Sequence, residues 1–402
     1  VAEGTVSRAS FRDVFGVGEF RALWAAQMLS VAGDQLARVA LTVLVYDRTR
    51  SAALAALTFV MGVLPIFFGG AVLSGLGDRL PRRTVMIGCD LVRAALVLVM
   101  CVSGIPLWIL VVLLFVVTAG NAPFNAARAA IYPEILAGDR YVVGTAVTLT
   151  TFQFAQVIGF GAGGAIVGFF GVRTSLLADA GTFAASALLV RLGVAARPAA
   201  NRQQTGQAPR KAGWTSGLRL VFGNPALRTP MLFGWLAALY NAPEGVAAPY
   251  ARSLGGGAVT TGLLLAAPAL GYTFGALAFG RMVDPAHRER LMGPLAIGCS
   301  ALLIPIVARP PLPVTLALFA VSGACACFQV AANSAFVAAA PTAQRSEAFG
   351  LATAGMSLGQ GVAMILAGAA AQHFAPAAVI AAAGALGAAA AVGLSVGRPA
   401  RD

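Results

Sequence analysis

Long apolar runs, separated by short charged or Pro/Gly-rich breaks, recur from one end of the chain to the other. Reading between the breaks predicts twelve helical spans: 21–46, 51–76, 84–104, 107–131, 143–169, 172–194, 229–252, 257–280, 290–308, 312–338, 346–371 and 374–396. Each is near the length of about 20 apolar residues that a membrane-crossing helix requires. The two-residue alternation of a strand-built barrel is absent. Most connecting turns are short, so neighbouring spans are expected to run antiparallel. One connection is long and polar, 195–228, which contains "RPAANRQQTGQAPRKAG". It reads as a flexible cytoplasmic linker with room for a short surface helix. The expected architecture is an all-α polytopic membrane protein: a six-helix bundle over 1–194, the linker, and a second six-helix bundle over 229–402.

Composition sharpens this picture. Of 402 residues, 58% are hydrophobic and only 11% charged, and the mean hydropathy is +0.82. A soluble core of that size would need far more polar surface to cover it. The net charge of +13 raises the question of a nucleic-acid partner, and its placement answers it. With the N-terminus inside, twenty Lys and Arg residues fall in cytoplasmic segments and five outside, while Arg38, Arg93 and Arg128 lie within spans. The positive-inside rule then puts both termini in the cytoplasm. The basic loops are expected to face anionic lipid, with no nucleic acid involved.

Other chemistry is sparse. The first 20 residues carry Arg8, Arg12, Asp13 and Glu19 without an apolar core, so no cleavable signal is expected. The five cysteines lie in or beside apolar spans and read as small buried hydrophobes. Cys325-Ala-Cys327 lacks metal or redox spacing. Two distant histidines make a metal site unexpected. No nucleophile–base pair or phosphate-cradling loop appears, which argues against an enzyme and against ATP as the driver. No cofactor is expected. An ion gradient remains as the energy source, worth about 2.3 kcal/mol per charge per 100 mV. Abundant Ala, Gly and Arg with a single lysine suggests a GC-rich bacterial genome, and hence a bacterial plasma (inner) membrane.

The two halves resemble each other at an offset of 205. "GAVLSG" from Gly70 lines up with "GALAFG" from Gly275, and "AARAAI" from Ala126 with "AANSAF" from Ala331. The charged turn after span 2 has an echo after span 8, "GRMVDPAHRER". Repeats offset by six spans are parallel and related by an axis along the membrane normal.

Charges inside spans mark candidate sites. An acid at bilayer depth costs about 2.5–3.5 kcal/mol on insertion scales. Asp34, Asp90, Asp179 and Glu244 all fall within spans. Asp34 belongs to a stripe of Gln27, Ser30, Asp34 and Arg38, spaced three or four apart and therefore on one helix face. That face is expected to line a cavity between the halves. Asp34 is the favoured proton-titrating carboxylate; the alternative is a static Asp34–Arg38 ion pair, since burial and a neighbouring Arg push its charge in opposite directions. Glu244 sits in "LYNAPEGVAAPY", where Pro243, Gly245 and Pro249 break the helix. Broken helices mark binding sites in transporters. Glu244 is therefore a second proton-coupling candidate, with Tyr240 and Asn241 beside it. Gln153, Gln156 and Asn333 are further cavity candidates. Asp90, with Arg93 three residues on, is expected to join Asp78 and Arg128 in a charge network nearer the cytoplasm. Asp179 has no evident partner in sequence.

The turn "LSGLGDRLPRRTVM" carries a recognisable pattern, Gly75-x-x-Asp78-Arg79-x-x-Arg82-Arg83. It resembles the signature loop between the second and third helices of the major facilitator superfamily, with Pro81 where that family usually has glycine. Features in spans 1–4, among them "DLVRA" and "FNAARAAIYPEIL", resemble the branch of enterobactin exporters and macrolide efflux pumps. The resemblance implies alternating access between two pseudo-symmetric six-helix bundles. It also implies a cytoplasmic gate in which Asp78 pairs with Arg128 and the start of span 11 near Ser346. The other reading of Arg79, Arg82 and Arg83 is that they only set topology. In span 5, Gly159, Gly163, Gly164 and Gly168 allow close helix approach. They resemble the family's antiporter motif, with Phe160 in place of its proline. The implied function is proton-coupled export of a small hydrophobic or amphipathic compound by a monomer. The alternatives are a proton-coupled importer and a non-transporting membrane sensor or scaffold.

Overall fold

The computed structural model describes residues 10–62, 80–197, 214–341 and 344–396. No strand occurs among the described residues, and eight of their helices are long and apolar enough to cross a membrane. The spans follow the hydropathy reading closely. Span 1 is Gly18–Thr49, and span 2 opens as Ala52–Met61. Span 3 is Arg82–Met100, span 8 Ala258–Met282, span 11 Arg345–Ala370 and span 12 Pro376–Val396. Spans 5 and 6 form one helical run, Asp139–Gly193, bent at Gly171, whose φ of 83° only glycine adopts readily. The two apolar runs meet there with no polar turn between them.

Several spans are built from pieces. Span 4 is Leu107–Ala119 followed by Asn121–Ile135. Span 10 is Leu312–Cys325 followed by Phe328–Ala339. At the offset of 205, Gly120 corresponds to Cys325, so the repeat extends to where these helices break. Span 9 is Pro285–Ala301 continued by the 3-10 turn Ile304–Ala308. Span 7 is the most interrupted: Pro225–Trp235, Ala237–Tyr240, Ala242–Gly245 and Ala247–Ser253. Pro243 and Pro249 cannot donate to the helical ladder, and the breaks fall beside them.

Among the described residues, two short helices lie outside the spans. Phe11–Phe15 is held by a capping box between Ser10 and Asp13, and the Ser10 backbone and hydroxyl hold the exposed Asp13 carboxyl below its usual range. Trp214–Gly223 supplies the surface helix expected in the linker region. After span 8, Arg288 donates to the carbonyls of Val283 (3.1 Å) and Gly280 (2.9 Å), closing a helix end whose carbonyls lack intrahelical donors.

Contacts group the chain into two compact units. The first holds residues 1–37, 65–159 and 170–206, the second 38–64, 160–169 and 207–402. This grouping cuts across the sequence halves expected from the linker: the later turns of span 1, the start of span 2 and one stretch of span 5 belong with the C-terminal spans. In the first unit, a core of Phe20, Leu23, Met86, Phe124, Ile131, Tyr132 and Val190 joins spans 1, 3, 4 and 6. In the second, Phe233, Phe279, Cys299 and Phe328 join spans 7 to 10, and Val246, Tyr250, Leu303 and Ile380 join spans 7, 9 and 12.

Candidate functional site

The buried charges of the first unit meet at one place. Arg93 of span 3 is 1% exposed and reaches across to span 1. Its Nη2 donates to Asp34 Oδ1 at 2.7 Å and Oδ2 at 2.9 Å, and its Nη1 donates to Ser30 Oγ at 3.1 Å. Asn121, at the break in span 4, donates to Asp34 Oδ2 at 3.1 Å. Asp90, one turn before Arg93, places Oδ1 3.5 Å from Arg93 Nη1 and accepts from Ser186 of span 6 at 2.5 Å. Phe183, also on span 6, lies under the guanidinium, 4.0 Å from its ring centroid.

Asp179 completes the cluster. It is fully buried on span 6 and interacts electrostatically with both Asp34 and Arg93. Thr182 Oγ1 stands 3.5 Å from its Oδ1. A Cβ at Gly33 would lie 2.4 Å from Asp179 Oδ1 and 2.1 Å from Thr182 Oγ1, so glycine is what lets this carboxylate lie against span 1. Two carboxylates thus pair with the Arg93 guanidinium, and a third lies within its electrostatic reach. Asp34 is fully hydrogen-bonded, whereas Asp90 Oδ1, Asp179 Oδ2 and Arg93 Nε have no hydrogen-bond partner among the described residues.

This corrects two expectations. Asp34 is held by Arg93, not by Arg38 four residues on. Asp90 and Arg93, expected in a network with Asp78 and Arg128, meet Asp34 and Ser186 in this interior cluster, and Asp78 lies outside the described residues. Helical spacing exposed only the local partner; the real one crosses between spans. Arg128 instead lies over the Tyr132 ring at 5.5 Å. Of the rest of the span 1 stripe, Gln27 is buried. Gln35, one residue off the stripe, donates to Gln156 at 3.1 Å, and Gln156 donates to Gln153 at 3.2 Å.

A second set of ions joins the ends of spans 1, 3, 4 and 6. Arg82, at the start of span 3, donates to the Ala130 carbonyl at 3.0 Å and pairs with Glu134 at the end of span 4. Arg197 pairs with Glu19 at 2.7 Å and with Glu134 at 3.4 Å. Arg83 donates to the carbonyl of Arg191. Glu134, Glu19 and Arg197 are not among the candidate site residues of the sequence; acids at span ends carry no burial signal, and their pairing appears only when four helix ends converge.

Residues 23–248 and 243–402 match the sequence profile of the Major Facilitator Superfamily. The chain belongs to the major facilitator superfamily. It is a multi-pass membrane transporter, not an enzyme. The multidrug efflux pump Tap of Mycolicibacterium fortuitum is 28% identical over 316 residues, 74% of this chain and 75% of that protein. Macrolide efflux protein A of Streptococcus pyogenes is 29% identical over 122 residues, 29% of this chain and 30% of that protein. Both relatives come from the efflux branch to which the motifs pointed. The nucleoside transporter NupG shares the fold with a TM-score of 0.72 at 15% identity, over 93% of this chain and 98% of that one. A bacterial homologue of the iron transporter ferroportin does so at 0.64 and 14%, over 97% and 100%.

Of the superfamily loop, Gly75, Asp78 and Arg79 lie outside the described residues; Arg82 and Arg83 make the contacts given above. The glycines of the antiporter-like span 5 face different neighbours. Gly159 lies against Ala32 and Gln35 of span 1. Gly164, in the second unit, meets span 8 backbone to backbone: a Cβ there would be 2.7 Å from the Ala258 carbonyl and 2.8 Å from Gly262 Cα. Gly163 is buried beside it.

In the second unit, Arg38 donates to the Gly62 carbonyl at 2.6 Å and lies over the Phe59 ring at 5.3 Å. It is also the charge that acts on Glu244, in the broken part of span 7. The two candidates singled out separately in sequence therefore act on each other. Tyr240 accepts from Gln329 Nε2 at 2.9 Å and stacks edge-on to Phe328. Asn241 is half-buried at the break before Glu244, and Asn333 is exposed. Near the end of span 1, Asp47 receives two donors from Arg252 of span 7, with a closest approach of 2.6 Å. Gln372 donates to Ser51 at the start of span 2.

Proposed function

We propose that the protein exports a small hydrophobic or amphipathic compound, a drug, siderophore or natural product, in exchange for protons. It works as a monomer in the bacterial plasma (inner) membrane with both termini cytoplasmic. The observation that carries this reading is the cluster of Asp34, Asp90 and Asp179 around Arg93. A buried charge costs several kcal/mol unless paired, and one guanidinium cannot compensate three carboxylates. A cluster with an excess of buried acids suits a site that takes up and gives back protons. Asp34, partly exposed at 18%, is the member that meets water and is the coupling carboxylate. Arg38 and Glu244 are the corresponding charges in the second unit.

The activities for which the relatives are named, multidrug and macrolide efflux, favour export over import. No nucleotide or other cofactor is needed, because the pH gradient supplies the work. At the end of the spans away from the basic loops, Asp47–Arg252, Ser51–Gln372 and the Gly164–Gly262 contact would form the closed outer gate of an alternating-access cycle.

A compound panel in a host lacking its own pumps would identify a substrate. Inside-out vesicles would then decide direction. With the lumen acidified, the expected result is that the compound accumulates in the lumen and that collapsing the pH gradient abolishes the accumulation. Accumulation only under the opposite gradient would establish import.

A further inference from the structure

A cavity of about 470 Å³ lies where span 3 begins and span 6 ends. Arg83 from the start of span 3 and Arg191 and Arg197 from the end of span 6 converge on it, with Pro81, Thr84 and Ile87 completing most of the wall. Two hydrogen bonds hold spans 3 and 6 side by side at this point: Arg83 to the Arg191 carbonyl, and Ser186 to Asp90 one turn and more deeper. The charge of the cavity is unevenly spent. Arg197 is engaged by Glu19 and Glu134. Arg83 and Arg191 have no carboxylate partner among the described residues.

The backbone adds to this potential. Span 3 starts after Pro81, which gives no side-chain cap, so the N-terminus of a 19-residue helix with its first N–H groups lies at Arg83 and Thr84. Such a terminus favours a phosphate-sized anion. The surface beneath is apolar and uncovered. Leu91 on the face of Ile87, and Leu188 and Leu192 beside Arg191, are 52%, 55% and 77% exposed. A basic pocket directly above two lipid-facing helix surfaces, with an opening for an anion, combines the two halves of a phospholipid.

We infer that this cavity binds the phosphodiester headgroup of an anionic phospholipid, with its acyl chains along the exposed leucines of spans 3 and 6. Arg83 and Arg191 supply the free charge, the span 3 terminus and Thr84 supply donors, and Arg197 stays tied to its acids. The site is distinct from the buried cluster around Arg93, and its occupancy is measured without any transport substrate.

The test uses the full-length, delipidated protein and native mass spectrometry. Phosphatidylglycerol, phosphatidylethanolamine or inorganic phosphate is added to the wild type, to Arg83→Gln/Arg191→Gln, and to Arg83→Lys/Arg191→Lys. The expected result is a single retained phosphatidylglycerol on the wild type, weakened about 30-fold in the Gln variant at about 1 kcal/mol per basic group. The Lys variant should keep most of the affinity, since an ammonium still meets a phosphate. Equal unfolding temperatures in phosphatidylethanolamine would show that the Gln variant is folded. Equal retention by wild type and a folded Gln variant would overturn the site. So would equal retention of phosphatidylethanolamine. Displacement by excess inorganic phosphate would show a free-anion site and overturn the assignment to lipid. Should the Gln variant not fold, loss of binding in the wild type on raising salt, which screens exposed charges, is the expected result; salt-insensitive binding would contradict the proposal.

Discussion

Replacing Arg93 with Gln is expected to have the largest effect of any single substitution in the first unit. The change removes the guanidinium shared by Asp34 and Asp90 and leaves the buried carboxylates facing one another. Breaking a buried ion pair by deleting one partner costs about 3–5 kcal/mol, because the other charge stays buried. That is a large part of the roughly 5–15 kcal/mol that holds a typical protein folded. The purified variant should unfold at a clearly lower temperature in detergent and show no efflux. Adding Asp34→Asn removes one of the uncompensated charges and leaves Asp90 and Asp179, so the double variant should recover part of the stability. It should recover none of the transport. A single Arg93→Gln protein as stable as the wild type would mean that the cluster carries little charge, and the electrostatic reading of it would fail.

The second large effect is expected at Gly164. Its backbone lies against that of Gly262, and any side chain must push span 5 away from span 8. Overpacking of this kind costs about 1–3 kcal/mol. If the contact exists in only one state of an alternating-access cycle, that cost biases the states by about 5- to 150-fold. Gly164→Leu should therefore fold and reach the membrane, while its initial efflux rate falls about tenfold or more. Gly161→Ala is the control, since nothing lies within 4 Å of where its Cβ would be. It should transport normally. Normal efflux by Gly164→Leu would show that the span 5–span 8 contact plays no part in the cycle.

Most of the helical architecture could be read directly from the chain, because a span needs only local information: apolar length and the breaks at its ends. Pro243 and Pro249 announced the interruptions of span 7 for the same reason. Partnerships between spans were a different matter. Asp34, Asp90, Asp179 and Glu244 were conspicuous as acids at bilayer depth, but sequence spacing could offer Asp34 only Arg38. The true partner, Arg93, is 59 residues away and reaches Asp34 across an interface with no linear signature. Asp179 lies against span 1 at Gly33, and neither residue carries a linear signal of that approach. Glu134 and Arg197 lay hidden at span ends, where charges are ordinary. The pairing of Asp47 with Arg252 joins opposite halves of the chain and was invisible for the same reason.

Asp34 is the point at which the reading of buried charge becomes a claim about transport, and Asp34→Asn tests it. The substitution keeps the shape and a hydrogen-bonding group while removing the charge. Wild type and variant would be reconstituted in vesicles with an imposed pH gradient, using a compound identified by the host panel. The expected result is uphill accumulation by the wild type alone, while both proteins exchange labelled for unlabelled compound at equilibrium. Uphill accumulation by the variant at the wild-type level would contradict it, because the proton would then be carried elsewhere.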